Sequence, residues 1–252
     1  MLGIQKAGLL KRFSAFLLDF ILMTIVVTGL AFLLFSVTGY DNHLAFVEGK
    51  QAEYEEMYSV DFNITEDDFN KLPEEDRKYI EDAYTKFATD TEVVGAYNLM
   101  FNLTLMITSL SIFFAVLILE FIIPLILKDG MTVGKKIFGI GVIQENGVRM
   151  KTVSFFTRAI LGKYTVEMMI PVILITMMLF GAGGLIGVIV LGLIIIFEVF
   201  VFFKDKNYTL IHDVLAHTVC VDMQTQLVFD TEEELLAYKE RIHAEMADRS
   251  PY

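Results

Sequence analysis

Apolar residues gather in runs too long for the core of a soluble domain. The first run extends from about Phe13 to Val37 and the second from about Tyr97 to Leu127. The last, Tyr164 to Phe203, is 40 residues long. As one helix it would measure ~60 Å, about twice the ~30 Å hydrocarbon core of a bilayer. It must fold back on itself. The break belongs at Gly181-Ala182-Gly183-Gly184, where glycine tolerates the positive φ of a tight turn. The pattern therefore predicts an all-α membrane protein with four transmembrane helices.

Between the first two spans the pattern turns polar. Leu72-Pro73-Glu74-Glu75 reads as a helix start, with proline in the first turn and acids at the positive dipole end. Tyr79, Ile80, Ala83, Tyr84 and Phe87 then recur at helical spacing. After the second span, the β-prone runs Ile137–Ile143 and Val148–Met150 flank Asn146-Gly147, a hairpin signal that suits a type I′ turn. Thr218–Asp222 supplies a third short strand. Thr152–Leu161 reads as an interfacial helix with Phe155, Phe156, Ile160 and Leu161 toward lipid. Residues 231–248 predict an acidic amphipathic helix, capped by Asp230 or Thr231 and lined by Leu235, Tyr238, Ile242 and Met246.

The expected division is a cytoplasmic start and first span over 1–39, an acidic helical insertion over 40–93, and a second span over 94–127. A loop, hairpin and interfacial helix follow over 128–163, then the third and fourth spans over 164–203 and a cytoplasmic segment with the terminal helix over 204–252.

Composition narrows the class. Of 252 residues 55% are hydrophobic, the mean hydropathy is +0.56, and there is a single cysteine, Cys220. That excludes a disordered chain, a disulfide-stapled domain and a cysteine-rich metal domain. Charge sets orientation. Lys6, Lys11 and Arg12, the seven cations from Lys128 to Lys163, and Lys204 and Lys206 flank the spans on one side. By the positive-inside rule both termini are cytoplasmic and the 40–93 insertion is extracytoplasmic. That insertion holds 16 acidic and 5 basic side chains, so it carries nearly all of the net charge of −12. It reads as a solvated helical cap, with a cation-collecting antechamber or a docking surface as alternatives. The first span follows a basic start but is too long for a signal-peptide core, and is expected to stay as an uncleaved anchor.

The candidate chemistry lies in the spans. Ionisable groups there are costly and mark function by default. Asp19, Glu120 and Glu198 lie ~9–12 Å from the nearest cytoplasmic cation by helix rise, and Glu167 ~6 Å. They form an acid layer in the inner leaflet. Arg12 is two turns from Asp19 on the same face, and Arg158 and Lys163 reach inward from the interfacial segment. Two readings stand: a salt-bridge network that locks the bundle, or a cytoplasm-facing cation or proton site. Transporter sites tend to lie near the midplane between repeated halves, whereas this layer is shallow and no internal repeat is evident.

With these residues in place, the chain resembles the RDD family of small integral membrane proteins. Arg12-Phe13-Ser14-Ala15 followed by Asp19 resembles its first block. Gly130-Met131-Thr132-Val133-Gly134-Lys135-Lys136, with Gly139 and Val142, resembles its G-x-T-x-G-K loop and strand. His212-Asp213 with Ala216 and Thr218 resembles the closing block, which would make Asp213 its second Asp. Glu120 and Arg158 match an acid and an arginine common in the family. The resemblance covers about 1–40 and 97–222, and implies transport of an unidentified ligand.

Enzyme-like patterns are weak. Gly130–Lys136 has three residues between its glycines where a P-loop has four, and Lys136 where a P-loop has Ser or Thr. His212, Asp213 and His217 lack further metal ligands nearby in sequence. No enzyme activity, catalytic residue, metal, cofactor or nucleic-acid partner is expected. The leading expectation is transport or gating of a small cation or proton, with Asp19, Glu120 and Glu198 exchanging and Arg12 and Arg158 tuning them. The alternative is a regulatory or scaffold subunit that binds a membrane protein through 40–93 or 231–248. The expected partners are the lipid bilayer and further copies of the chain, in the plasma membrane of a bacterium.

Overall fold

The computed structural model describes residues 4–127, 129–179, 181, 184–204 and 209–249. Helix α1 (Leu9–Thr38) is followed by α2 (Tyr40–Tyr58), α3 (Glu66–Lys71), α4 (Glu74–Thr89) and the long α5 (Thr91–Leu127). A short α6 (Val133–Ile137) leads into β1 (Ile140–Gln144), then α7 (Thr152–Leu179) and α8 (Gly184–Lys204). The chain continues through α9 (Ile211–Ala216), β2 (Thr218–Asp222) and α10 (Glu232–Arg249). Among the described residues α1, α5, α7 and α8 are long and apolar enough to cross a membrane. Leu185 and Ile186 of α8 are each 75% exposed, a surface suited to hydrocarbon rather than water. Helix α7 ends at Leu179 and α8 begins at Gly184; Gly181 and Gly184 have φ of +76° and +38°. Ala182 and Gly183 of the expected turn, and Lys128 and Lys206 of the basic flank, lie outside the described residues.

Two compact units divide the chain. One comprises Leu30–Ser109 and the other the residues before and after it. Within Leu30–Ser109, Val47, Phe87, Val93, Ala96 and Met100 form a small core. Helix α4 starts directly after Pro73, and Ala83 and Phe87 of its apolar stripe are buried, while Tyr79 and Tyr84 are exposed. The Tyr54 hydroxyl donates to Asp90 at 2.9 Å, and Lys50 pairs with Glu53 and Glu92.

In the other unit β1 pairs antiparallel with β2, from Ile140 opposite Asp222 to Gln144 opposite Thr218. Both faces are covered. Ile140, Val142 and Cys220 pack with Ala15 of α1 and Phe155 of α7, and Ile143, Val219 and Val221 pack on the opposite side with Ile4. Residues before α1 continue the sheet: Lys6 bridges Val221, and the Ala7 amide donates to the Cys220 carbonyl at 3.2 Å.

Two expectations are corrected. The second hairpin arm is not a strand. Glu145, Asn146 and Gly147 form a three-residue loop closed by the Gln144 amide on the Val148 carbonyl at 2.9 Å. Beyond it there are only single bridges, Ile143 to Arg149 and Val148 to Phe229. Lys151 already caps α7, which leaves no length for a ladder, so β2 takes that place. The interfacial helix is likewise not separate. Thr152–Leu161 is the first part of α7 and runs unbroken into the third span. Phe155 is buried under the sheet, while Phe156 and Leu161 are about half exposed.

The fully buried Ile143 fills the sheet core, so Ile143→Ala is expected to cost about 2–5 kcal/mol. Ile186→Ala, on an exposed face, should cost less than about 1 kcal/mol. Thermal unfolding in detergent distinguishes the two; equal shifts would place the sheet outside the cooperative unit.

Candidate functional site

Helices α5 and α7 both widen before they end. Leu117–Ile122 and Thr157–Met169 are π-helical, with the Ile123 amide on the Ile118 carbonyl and the Ile170 amide on the Thr165 carbonyl, five residues back in each case. Each wide stretch stops two residues before a proline, Pro124 or Pro171. Proline has no N–H and crowds the carbonyl four residues earlier. Those carbonyls belong to Glu120 and Glu167. Both acids thus sit in the same local frame, Glu120-Phe121-Ile122-Ile123-Pro124 and Glu167-Met168-Met169-Ile170-Pro171. The wider turn also aligns residues five apart, such as Arg158 and Lys163, on one face.

That face of α7 holds a polar network. Arg158 donates from Nε to Asp213 Oδ1 at 2.8 Å and from Nη2 to His212 Nε2 at 3.0 Å. Thr218 of β2 adds a hydroxyl donor to the same Asp213 oxygen at 3.0 Å. Arginine can only donate, so His212 Nε2 accepts and Nδ1 carries the proton. Nδ1–H then donates to Glu167 at 2.7 Å, and Glu167 also receives the His212 amide at 2.9 Å. Burial lowers the His212 pKa and keeps the ring neutral. Burial alone would raise the Asp213 pKa, but Arg158, helped by His212 and Lys135, holds it well below the usual aspartate range. Gly162 makes this packing fit: a Cβ there would stand 2.5 Å from His212 Cβ. One turn away Lys163 forms an ion pair with Glu120 of α5.

The loop into α6 is built around Asp19. The Thr132 hydroxyl donates to Asp19 Oδ2, and the Gly134 amide donates to Oδ1 at 2.7 Å. Thr132 in turn caps α6 by accepting from the Lys135 amide at 3.3 Å. A Cβ on Gly134 would lie 2.4 Å from the Ala15 carbonyl of α1, so only glycine allows this approach. Asp19 therefore anchors a loop through a hydroxyl and an amide.

These elements enclose a cavity of about 380 Å³. Arg12, Asp19, Glu120, Lys135, Arg158, Lys163, His212 and Asp213 all reach it. Of the candidates read from sequence, Glu167 joins one step removed, through His212, and Glu198 does not line it. Glu198 is half-buried and takes a hydrogen bond from the backbone of Ile211. Gly130 has φ of +63° and lies against Val142 of β1. His217 is exposed, 3.9 Å from Glu145 and turned away from the network. Glu120 Oε2 is buried with no hydrogen-bond partner among the described residues. Burial, and then Arg158 and Lys163, lower the half-buried Lys135 amine to about 8. Sequence reasoning missed two parts of this arrangement: the role of Thr132 and Gly134 as the seat of Asp19, and Lys135 as a cavity group. Proline four residues after each acid was the available signal for the wide turns.

A family model described as RDD family matches residues 6–217. No significant match was found among curated proteins or among solved structures.

Removing one partner of the Arg158–Asp213 pair leaves a buried charge. Arg158→Leu is expected to cost about 3–5 kcal/mol, with Arg158→Met plus Asp213→Leu recovering part of it, read by thermal unfolding. The Asp213 contribution is complete above the usual aspartate value of ~3.9 and is lost as pH falls below it. Lys135 has the opposite sign of dependence. Its charge is disfavoured in the folded chain, so stability in neutral detergent should rise between pH ~8 and ~10.5, a gain absent from Lys135→Met.

Proposed function

The chain belongs to the RDD family, and from that premise we propose that this multi-pass membrane protein transports or gates a small cation or proton at the cavity between α1, α5, α7 and α9. The observation that carries this reading is Glu120. Its Oε1 is held by Lys163 while Oε2 is buried without a partner among the described residues, and the residue lines the cavity. A carboxylate with one oxygen uncommitted in a low-dielectric site gains most from a proton or a cation. Taking one up weakens the hold on Lys163, which couples occupancy to the contact between α5 and α7. Asp19 and Asp213 are already occupied by their own donors, so the exchanging role narrows to Glu120. Four spans leave little room for a pathway, and transport on this reading calls for several copies. Both termini face the cytoplasm of a bacterial cell, and no catalysis or cofactor is involved.

A second reading, a regulatory subunit for another membrane protein, is favoured by Leu30–Ser109, a compact unit with its own core and a large excess of acid. Residues 40–93, or α10, would be its docking surface.

In proteoliposomes, Glu120→Gln is expected to abolish ion-driven pH change and Glu198→Gln to leave most of it. Flux unchanged in Glu120→Gln would sink the transport reading. If the regulatory reading holds instead, deletion of 45–90 removes a co-purifying membrane partner and leaves the helical bundle intact.

A further inference from the structure

Helix α1 turns one face to the cavity: Leu9, Arg12, Phe13, Phe16, Asp19 and Phe20 recur three and four residues apart. Leu9, Phe13, Phe16 and Phe20 line the cavity, yet each is 52–62% exposed. This wall is therefore open to what surrounds the helix, and for a membrane-spanning helix that is lipid. Met168 of α7 and Phe202 of α8 add further apolar lining. At about 380 Å³ the cavity falls within the usual ~300–1,000 Å³ of small-molecule sites.

Among the described residues the charge of the lining is unbalanced. Four cations, Arg12, Lys135, Arg158 and Lys163, meet three carboxylates, Asp19, Glu120 and Asp213, and His212 is neutral. Lys163 is taken by Glu120 and Arg158 by Asp213, while Asp19 is taken by Thr132 and Gly134. Among the described residues no acid lies within ion-pairing distance of the Lys135 amine. A cation held among two others in a partly dry site attracts an anion. A soluble anion would satisfy it but leave the apolar wall uncovered. An anion that carries hydrocarbon satisfies both.

We propose that the cavity binds an anionic phospholipid from the leaflet on the Lys135 side, with its phosphate against Lys135 and an acyl chain along Phe13, Phe16 and Phe20. Basic pockets between spans are suited to such headgroups. The inference stands apart from the ion reading, since Glu120 keeps its pairing with Lys163.

The test is native mass spectrometry of the full chain in neutral detergent, with phosphatidylglycerol, phosphatidylcholine of the same chains, or soluble glycerol 3-phosphate. Retention of phosphatidylglycerol should exceed that of phosphatidylcholine by about fivefold or more, the effect of roughly one cation near a headgroup. Lys135→Gln should remove the difference, and Lys136→Gln, at an exposed neighbour, should preserve it. In the wild-type chain, NMR of ¹³C-methylated lysine should show the Lys135 amine titrating near 8 and moving upward when phosphatidylglycerol is added. Equal retention of the two lipids overturns the proposal, as does an unmoved titration. Glycerol 3-phosphate bound as tightly as phosphatidylglycerol also overturns it, in favour of a soluble anion.

Discussion

A buried guanidinium and a buried carboxylate, 55 residues apart in sequence, hold this structure in register. Neither Arg158 nor Asp213 can be left alone in so dry a place, because an unpaired buried charge costs several kcal/mol. Their pairing fixes α9 against α7. It also orients His212, whose single proton is then committed to Glu167. Thr218 follows directly from α9 and donates to the same carboxylate, which sets where β2 begins. β2 in turn places β1, and α6, which leads into β1, starts from the loop that receives Asp19. One ion pair thus determines the position of three elements and, through them, the lining of the cavity.

Much of this was readable from residue order. Three apolar runs, a glycine break in the last and acids set inside the runs pointed to the spans and the candidate groups. What could not be read was angular position. Helical faces are inferred at 3.6 residues per turn, and the inference drifts wherever hydrogen bonds close at i→i+5. Phe155 is a separate case: it lies in the regular turn before the wide stretch, and it faces the sheet rather than lipid because β1 and the distant β2 cover it, a packing that no local period announces. The partners of Asp19 were hidden for another reason. Thr132 and Gly134 lie more than 110 residues away, and a hydroxyl and an amide leave no charge pattern to follow. Glu198 shares its depth estimate with Asp19 and Glu120, but depth fixes only one coordinate of three, and the residue lies off the cavity.

The recurrence of Glu-x-x-Ile-Pro in α5 and α7 gives the wide turns a common origin. In both helices the proline withdraws an amide near the acid that lines or supports the cavity. A widened turn releases backbone carbonyls and brings a fifth residue onto the working face, here Lys163 beside Arg158. A local covalent restriction is thereby converted into a polar cluster shared among helices.

The sheet also constrains the order of assembly. Residues 4–7 run beside β2, and Lys11 is clasped by Asp222, 211 positions later, at 2.7 Å. During synthesis the first helix enters the bilayer long before its stitching strand leaves the ribosome. At the ordinary pace of ~5–20 residues per second, the leading strand waits roughly ten to forty seconds. Until then Ile4 and the alternate side chains of β1 have no cover, and a chaperone or a neighbouring nascent chain competes for them. Maturation of this protein is consequently a late closure that waits for β2 rather than for the spans.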